Sequence, residues 1–214
     1  MRNPVHSLLS GNSKIVTTKI MASELNVGKW KNVALLVIDM QKDFIFGPMQ
    51  VKGGQAIVPN VIKAVEVARN CGIHIVWVVR ENDPLGRDVE LFRRHFKPKL
   101  ASKGSVGAEL VDGLVMDVEE DYKLVKTRFS AFLNTHLHSY LQTNGITDLV
   151  FTGVQTPNCI RQTVFDAVSL DYKQVTVITD ATAAATPDIH IANILDMKNI
   201  GVATPTLEEW CQST

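Results

Sequence analysis

Apolar positions in this chain follow two rhythms. Short runs rich in β-branched residues stand at 33–38 (VALLVI), 73–80 (IHIVWVVR), 149–152 (LVFT) and 174–179 (QVTVIT). Runs that do not alternate strictly suit strands covered on both faces, as in a parallel sheet. Between them, apolar residues recur at helical spacing: Val58, Val61, Ile62, Val65 and Ala68; then Leu133, Leu137, Tyr140 and Leu141; then Ile160, Val164, Ala167 and Val168; then Ile191, Ile194 and Leu195. The punctuation agrees. Gly53-Gly54 precede the first helix and Gly72 stops it, Asn144-Gly145 stop the second, and Thr156-Pro157 and Thr186-Pro187 open the third and fourth. A more polar strand at 121–126 and a short one at 200–203 bring the expected number of strands to six. Strands alternating with helices predict an α/β fold with a mostly parallel sheet, helices on both faces, and so a three-layer α/β/α arrangement.

The pattern weakens in two places. Residues 1–31 have no strong periodicity and carry Arg2, Lys14 and Lys19 before the first acid, Glu24, which reads as an extension, passive or targeting, ahead of a domain at 32–214. Residues 81–120 are irregular. A helix is expected at 88–96, with Val89, Phe92 and Phe96 on one side and Arg93, Arg94, Lys97 and Lys99 making it basic. That charge is either a solvated face or a lid that offers arginine to an anionic substrate. His74, inside a strand, reads as structural.

Composition narrows the function classes. Lys and Arg number 22, as do Asp and Glu, so no net charge draws the chain to nucleic acid or anionic membranes. The longest apolar run falls far short of the ~20 residues of a spanning helix. Three scattered cysteines, Cys71, Cys159 and Cys211, make neither a disulfide framework nor a C-x-x-C metal site. They suit a reducing compartment, so a cytoplasmic protein is expected, with organelle targeting by residues 1–20 as the alternative.

Three reactive residues fall at strand ends, where open α/β sheets place their sites: Asp39 after the first strand, Lys126 after the third and Cys159 after the fourth. A free thiol with a pKa of ~8.5 is only about 3% ionised at pH 7. The first turn of a helix favours an anion, so Cys159 is expected to gain thiolate character there. Together the three supply a nucleophile, a proton acceptor and a cation. Nucleotide-binding loops of the G-x-G-x-x-G and G-x-x-x-x-G-K-[ST] types are missing, as is the G-x-S-x-G elbow of serine hydrolases.

The segments Asp39-x-Gln41-x-x-Phe44, Lys126-x-x-x-Ser130-Ala-Phe132 and Gly153-Val154-x-Thr156-x-x-Cys159 resemble the three signatures of the isochorismatase-like cysteine hydrolases. The likeness is nearest the nicotinamidase-like subgroup, which is related to the ureidoacrylate and N-carbamoylsarcosine amidohydrolases. It implies a six-stranded sheet of order 3-2-1-4-5-6, a homo-oligomer, and a triad of Asp39, Lys126 and Cys159 that works without a cofactor. It also implies a cis peptide between Val154 and Gln155, which would turn the Gln155 amide inward to form an oxyanion hole with that of Cys159. Gln41, Phe44, Arg80 and Phe132, with the basic Arg93, Arg94 and Arg161, are the candidate substrate contacts. Metal-dependent nicotinamidases carry D-x-H and a further histidine after strand 2. Here that region reads R-E-N-D-P-L-G-R-D from Arg80, with no histidine until His95, so no metal is expected and Asp83-Pro84 reads as a turn. The expected activity is hydrolysis of a C–N bond in a small amide, ureido or carbamoyl compound. The alternative is a nicotinamidase-like protein of weak or lost activity that acts in binding or as a scaffold. Isochorismatase proper breaks a vinyl ether without this cysteine, so Cys159 argues against that chemistry.

Overall fold

A computed structural model describes residues 30–95 and 100–214. The expected N-terminal extension, Trp30 and Lys31 apart, and Phe96, Lys97 and Lys99 of the expected basic helix lie outside the described residues. The elements in chain order are β1 (Val33–Ile38), α1 (Lys42–Ile45), α2 (Gly54–Cys71), β2 (His74–Arg80), β3 (Tyr122–Lys126), α3 (Leu137–Thr143), β4 (Asp148–Val154), a π-helical turn (Thr156–Ile160) running into α4 (Arg161–Ser169), β5 (Gln174–Ala183), α5 (Pro187–Asn199) and α6 (Leu207–Ser213). The strands form one parallel sheet of order β3-β2-β1-β4-β5.

The pleat explains why β1 is apolar throughout. Val33, Leu35 and Val37 face a core built with α2 and α6, through Val61, Ala64, Ala68, Leu207 and Trp210. Ala34, Leu36 and Ile38 face the opposite core, built with α3, α4 and α5, through Leu141, Val164, Ala167 and Met197. All six β1 residues are buried, and burying a Val, Leu or Ile side chain contributes about 1.5–3 kcal/mol. Gly72 ends α2 in the left-handed region at φ 70°, its N–H bonded to the carbonyls of Ala68 and Arg69. His74 is structural: its Nε2 lies 2.7 Å from the Tyr140 hydroxyl.

Among the described residues five strands form instead of the expected six. The expected strand at 200–203 is reduced to a single parallel bridge between Thr176 and Ala203. Two hydrogen bonds hold it, Val177 N to Ala203 O at 2.8 Å and Ala203 N to Val175 O at 2.9 Å. Pro205 follows and has no N–H to extend a ladder, and Thr206 then opens α6, an unanticipated helix, with a capping box to Glu209. β5 runs to Ala183 because β4 pairs with it again beyond a register shift between Phe151 and Gly153. The expected helix at 88–96 is only a 3-10 turn at Leu91–Arg93, and Phe92 is half exposed. α3 begins after Leu133, which is exposed; Thr135 and Ser130 hydroxyls bind backbone groups of the preceding loop and hold it out of helix. Ile191 and Leu195 of α5, expected on a core face, are exposed.

Candidate active site

The parallel register brings the ends of four strands together. Arg80, the last residue of β2, stands beside Lys126, the last of β3, and Ile38 pairs with both Val78 and Gly153. Asp39 follows β1 in the left-handed region at φ 52°, a conformation aspartate tolerates better than most residues. Gly153 has φ 109°, and a Cβ there would stand 2.0 Å from the Ile38 carbonyl oxygen, so only glycine lets β4 run this close to β1. The Val154–Gln155 bond that follows is cis.

At this end of the sheet Lys126 Nζ donates to Asp39 Oδ2 at 2.8 Å, to the Arg128 carbonyl at 3.2 Å and to Cys159 Sγ at 3.3 Å, which occupies all three of its protons. Asp39, Lys126 and Cys159 are all buried. Asp39 Oδ1 is buried without a hydrogen-bond partner, and so can still accept a proton. Thr163 ties the site to the Ser130 loop: its hydroxyl donates to the Cys159 carbonyl at 2.6 Å and accepts from the Ala131 N–H at 3.0 Å.

The thiol differs from expectation. Cys159 lies in the π-helical turn that precedes α4. Burial pushes its pKa up, and the adjacent Asp39 charge adds to this, while Lys126 and Arg80 pull it down without prevailing. Attack therefore calls for a base beside the sulfur to remove the thiol proton.

A small, narrow cleft opens beside the sulfur. Asp39, Phe44, Arg80, Arg93, Val154, Gln155, Asn158 and Cys159 line it. Of the candidate substrate contacts, the structure thus brings Phe44, Arg80 and Arg93 to the cleft. Gln41 belongs to the scaffold instead. Its amide donates to the carbonyls of Arg80 and Ala108, both at 2.7 Å, and accepts from the Arg80 N–H at 2.8 Å, so it continues the β2 ladder where β1 has ended. Phe132 packs in an aromatic group with Tyr172 and His138. Arg161 pairs with Asp196 at 2.6 Å and lies over the Phe165 ring. Arg94 is exposed and is not among the residues lining the cleft.

Two residues in or beside the cleft were not anticipated. Asn158 lines it, and Glu90 bonds the Arg80 guanidinium at 2.9 and 3.4 Å while its other partner, Arg93, lies at 3.2 Å. The signal for Glu90 was available only as a carboxylate three residues before Arg93. The residues after β2 do not fit a transition metal. Asp83 pairs with Arg87 at 2.5 Å and the Asp88 carboxylate accepts the Asp83 N–H, so both acids serve the turn. Among the described residues no group of three or more His, Cys, Asp or Glu is placed to hold a metal ion. No helix among them is long and apolar enough to cross a membrane.

A family model for the isochorismatase domain matches residues 33–209. A protein of Arabidopsis thaliana named probable inactive nicotinamidase is 70% identical over 190 residues, covering 86% of this chain and 97% of the relative. The ureidoacrylate amidohydrolase RutB of Caulobacter vibrioides is 35% identical over 181 residues, covering 74% of this chain and 80% of that one. The crystal structure of an isochorismatase family protein from Desulfovibrio vulgaris superposes with a TM-score of 0.82 at 39% identity, over 86% of this chain and 98% of that one.

Proposed function

The chain belongs to the isochorismatase family of hydrolases, and on that premise we propose that it cleaves a C–N bond of a small amide, ureido or carbamoyl compound through a thioester on Cys159. The observation that carries this reading is the buried meeting of Lys126 Nζ with both Asp39 and Cys159 Sγ, two of the residues that line the cleft. A buried lysine in contact with a carboxylate and a thiol that both line a cleft serves a reaction better than it serves stability.

The thiol gives its proton to Asp39 Oδ1, the oxygen without another partner, as sulfur bonds to the substrate carbonyl carbon. The amide N–H groups of Gln155 and Cys159 are the proposed donors to the oxygen that becomes negative. Asp39 then returns its proton to the leaving nitrogen as the C–N bond breaks. Water enters, loses a proton to Asp39 and attacks the thioester, which frees the acid and restores the thiol. Lys126 holds Asp39 in place throughout and offsets its charge.

The names of two relatives bear on substrate. RutB acts on ureidoacrylate by its name, which supports a ureido compound here. The Arabidopsis protein's name speaks against nicotinamide turnover, and the engagement of Asp83 and Asp88 in a turn agrees. A substrate carboxylate, if present, would meet Arg93, the cleft arginine left with some exposure. The test is a screen of small amides, ureido acids and carbamoyl amines for ammonia or amine release by wild type and Cys159→Ala. Release that depends on Cys159 is expected from at least one ureido or carbamoyl compound; release equal in both proteins, or none from any class, would overturn the reading.

A further inference from the structure

Charged side chains converge on the Cys159 sulfur from three strand ends: Asp39 after β1, Arg80 at the end of β2 and Lys126 at the end of β3, with Glu90 and Arg93 behind Arg80 on the following loop. On α5, His190 faces Thr156 instead. The mechanism proposed above leaves Arg80 without a task. Yet Arg80 is only 1% exposed, and an arginine buried this deeply is costly unless its charge is matched.

Its placement is fixed on three sides. Gln41 holds its backbone, Glu90 holds its two terminal nitrogens, and its guanidinium lies over the Phe129 ring at 5.8 Å. Thus held, Arg80 Nη2 stands 3.8 Å from Cys159 Sγ, and its Nε stands 3.8 Å from Asp39 Oδ2. When the thiol proton passes to Asp39, negative charge leaves the carboxylate and appears on sulfur. Arg80 faces both atoms at the same distance, so it stays matched as the charge moves and need not move itself. A preorganised cation of this kind acts most strongly where water is excluded.

Given Cys159 as the nucleophile, on which the inference rests, we infer that Arg80 is a further catalytic residue, a fixed cation that stabilises the negative sulfur during attack, with Glu90 as the positioning residue that holds it and tempers its charge. In this step the S–H proton goes to Asp39, the S–C bond forms and the carbonyl π electrons pass to oxygen.

Breaking the Arg80–Glu90 pair from each end separates an electrostatic role from a structural one. The measurement is the pH dependence of Cys159 alkylation by iodoacetamide, mapped by mass spectrometry, with folding checked by near-ultraviolet circular dichroism. The midpoint of the profile is the readout, because it does not depend on how wide the cleft has become. Arg80→Gln is expected to move the midpoint up by about one pH unit, as removal of a cation near an anion does. Glu90→Gln is expected to move it down, and Arg80→Lys to stay nearer wild type than Arg80→Gln. If Arg80→Gln does not fold, the Arg80→Gln/Glu90→Gln double variant serves, with a midpoint above that of Glu90→Gln alone. Shifts in the same direction for Arg80→Gln and Glu90→Gln, a double variant no higher than Glu90→Gln, or an unmoved midpoint in folded Arg80→Gln would overturn the inference alone. A wild-type Cys159 that resists alkylation while Cys71 and Cys211 react would overturn it together with the proposed nucleophile.

Discussion

Lys126 donates from Nζ to Oδ2 of Asp39 at 2.8 Å with both side chains almost wholly out of solvent. A buried pair of this kind is weak evidence of a contribution to stability, since the cost of drying two ions can exceed their attraction. Breaking it is another matter. Lys126→Met should destabilise the protein by about 3–5 kcal/mol, because the buried Asp39 carboxylate loses its nearest partner. Urea titration of the variant checks this, and a loss under about 1 kcal/mol would mean that Arg80, at 3.8 Å, already suffices for Asp39.

Asp39→Asn should keep the fold and lose most turnover. Without a carboxylate, no group in the cleft can take the thiol proton at neutral pH, and a loss of about 10³-fold or more in kcat/KM is expected of residues that act as one unit. Near-normal rates in a folded Asp39→Asn would assign the proton to another acceptor.

Gly153→Ala should be among the most damaging small substitutions. Its Cβ would enter the Ile38 carbonyl in a backbone conformation at φ 109°. Gly145→Ala is the control: φ is also positive, at 69°, but nothing lies within 4 Å, so only the conformational cost of about 1–2 kcal/mol applies. Comparison of the two unfolding midpoints checks whether close approach, rather than φ, sets the requirement. Equal losses would contradict the crowding argument.

Acid should weaken the fold through His74. Burial lowers its pKa, although the charge of Asp121 works against this. The unfolded chain therefore binds the proton more readily than the folded one. The stability this provides is full above about pH 6.5, the free imidazole value, and is lost as pH falls through the lower folded value. His190, its pKa lowered by burial, adds in the same direction. In His74→Gln, which keeps an acceptor for Tyr140, the fall in melting temperature between about pH 7 and pH 5 should shrink relative to wild type. An unchanged fall would place the acid sensitivity elsewhere.

Much of the fold was legible because β1, β2 and β4 are covered on both faces and so appear as continuous apolar runs. The same rule overreached at 200–203, where apolar residues make one bridge before Pro205; composition does not reveal how many ladder bonds a run forms. At 88–96 the spacing of Val89, Phe92 and Phe96 suggested a helix, but Asp88, Glu90 and Arg93 are drawn into turn and ion-pair contacts that depend on the rest of the fold. In the site, strand-end positions pointed to Asp39, Lys126 and Cys159. Burial of the thiol, the anchoring of Arg80 by Glu90 and the capture of the Gln41 amide by β2 are tertiary facts, with no periodic trace in the chain.

The central claim is a covalent acyl intermediate on Cys159. It is tested most directly by rapid acid quench of the enzyme turning over a ureido or carbamoyl substrate, followed by intact-mass and peptide mass spectrometry. A mass increase equal to the acyl group is expected, confined to the peptide that holds Cys159 and lost in Cys159→Ala together with turnover. Steady turnover by Cys159→Ala, or an adduct on any other residue, would contradict it.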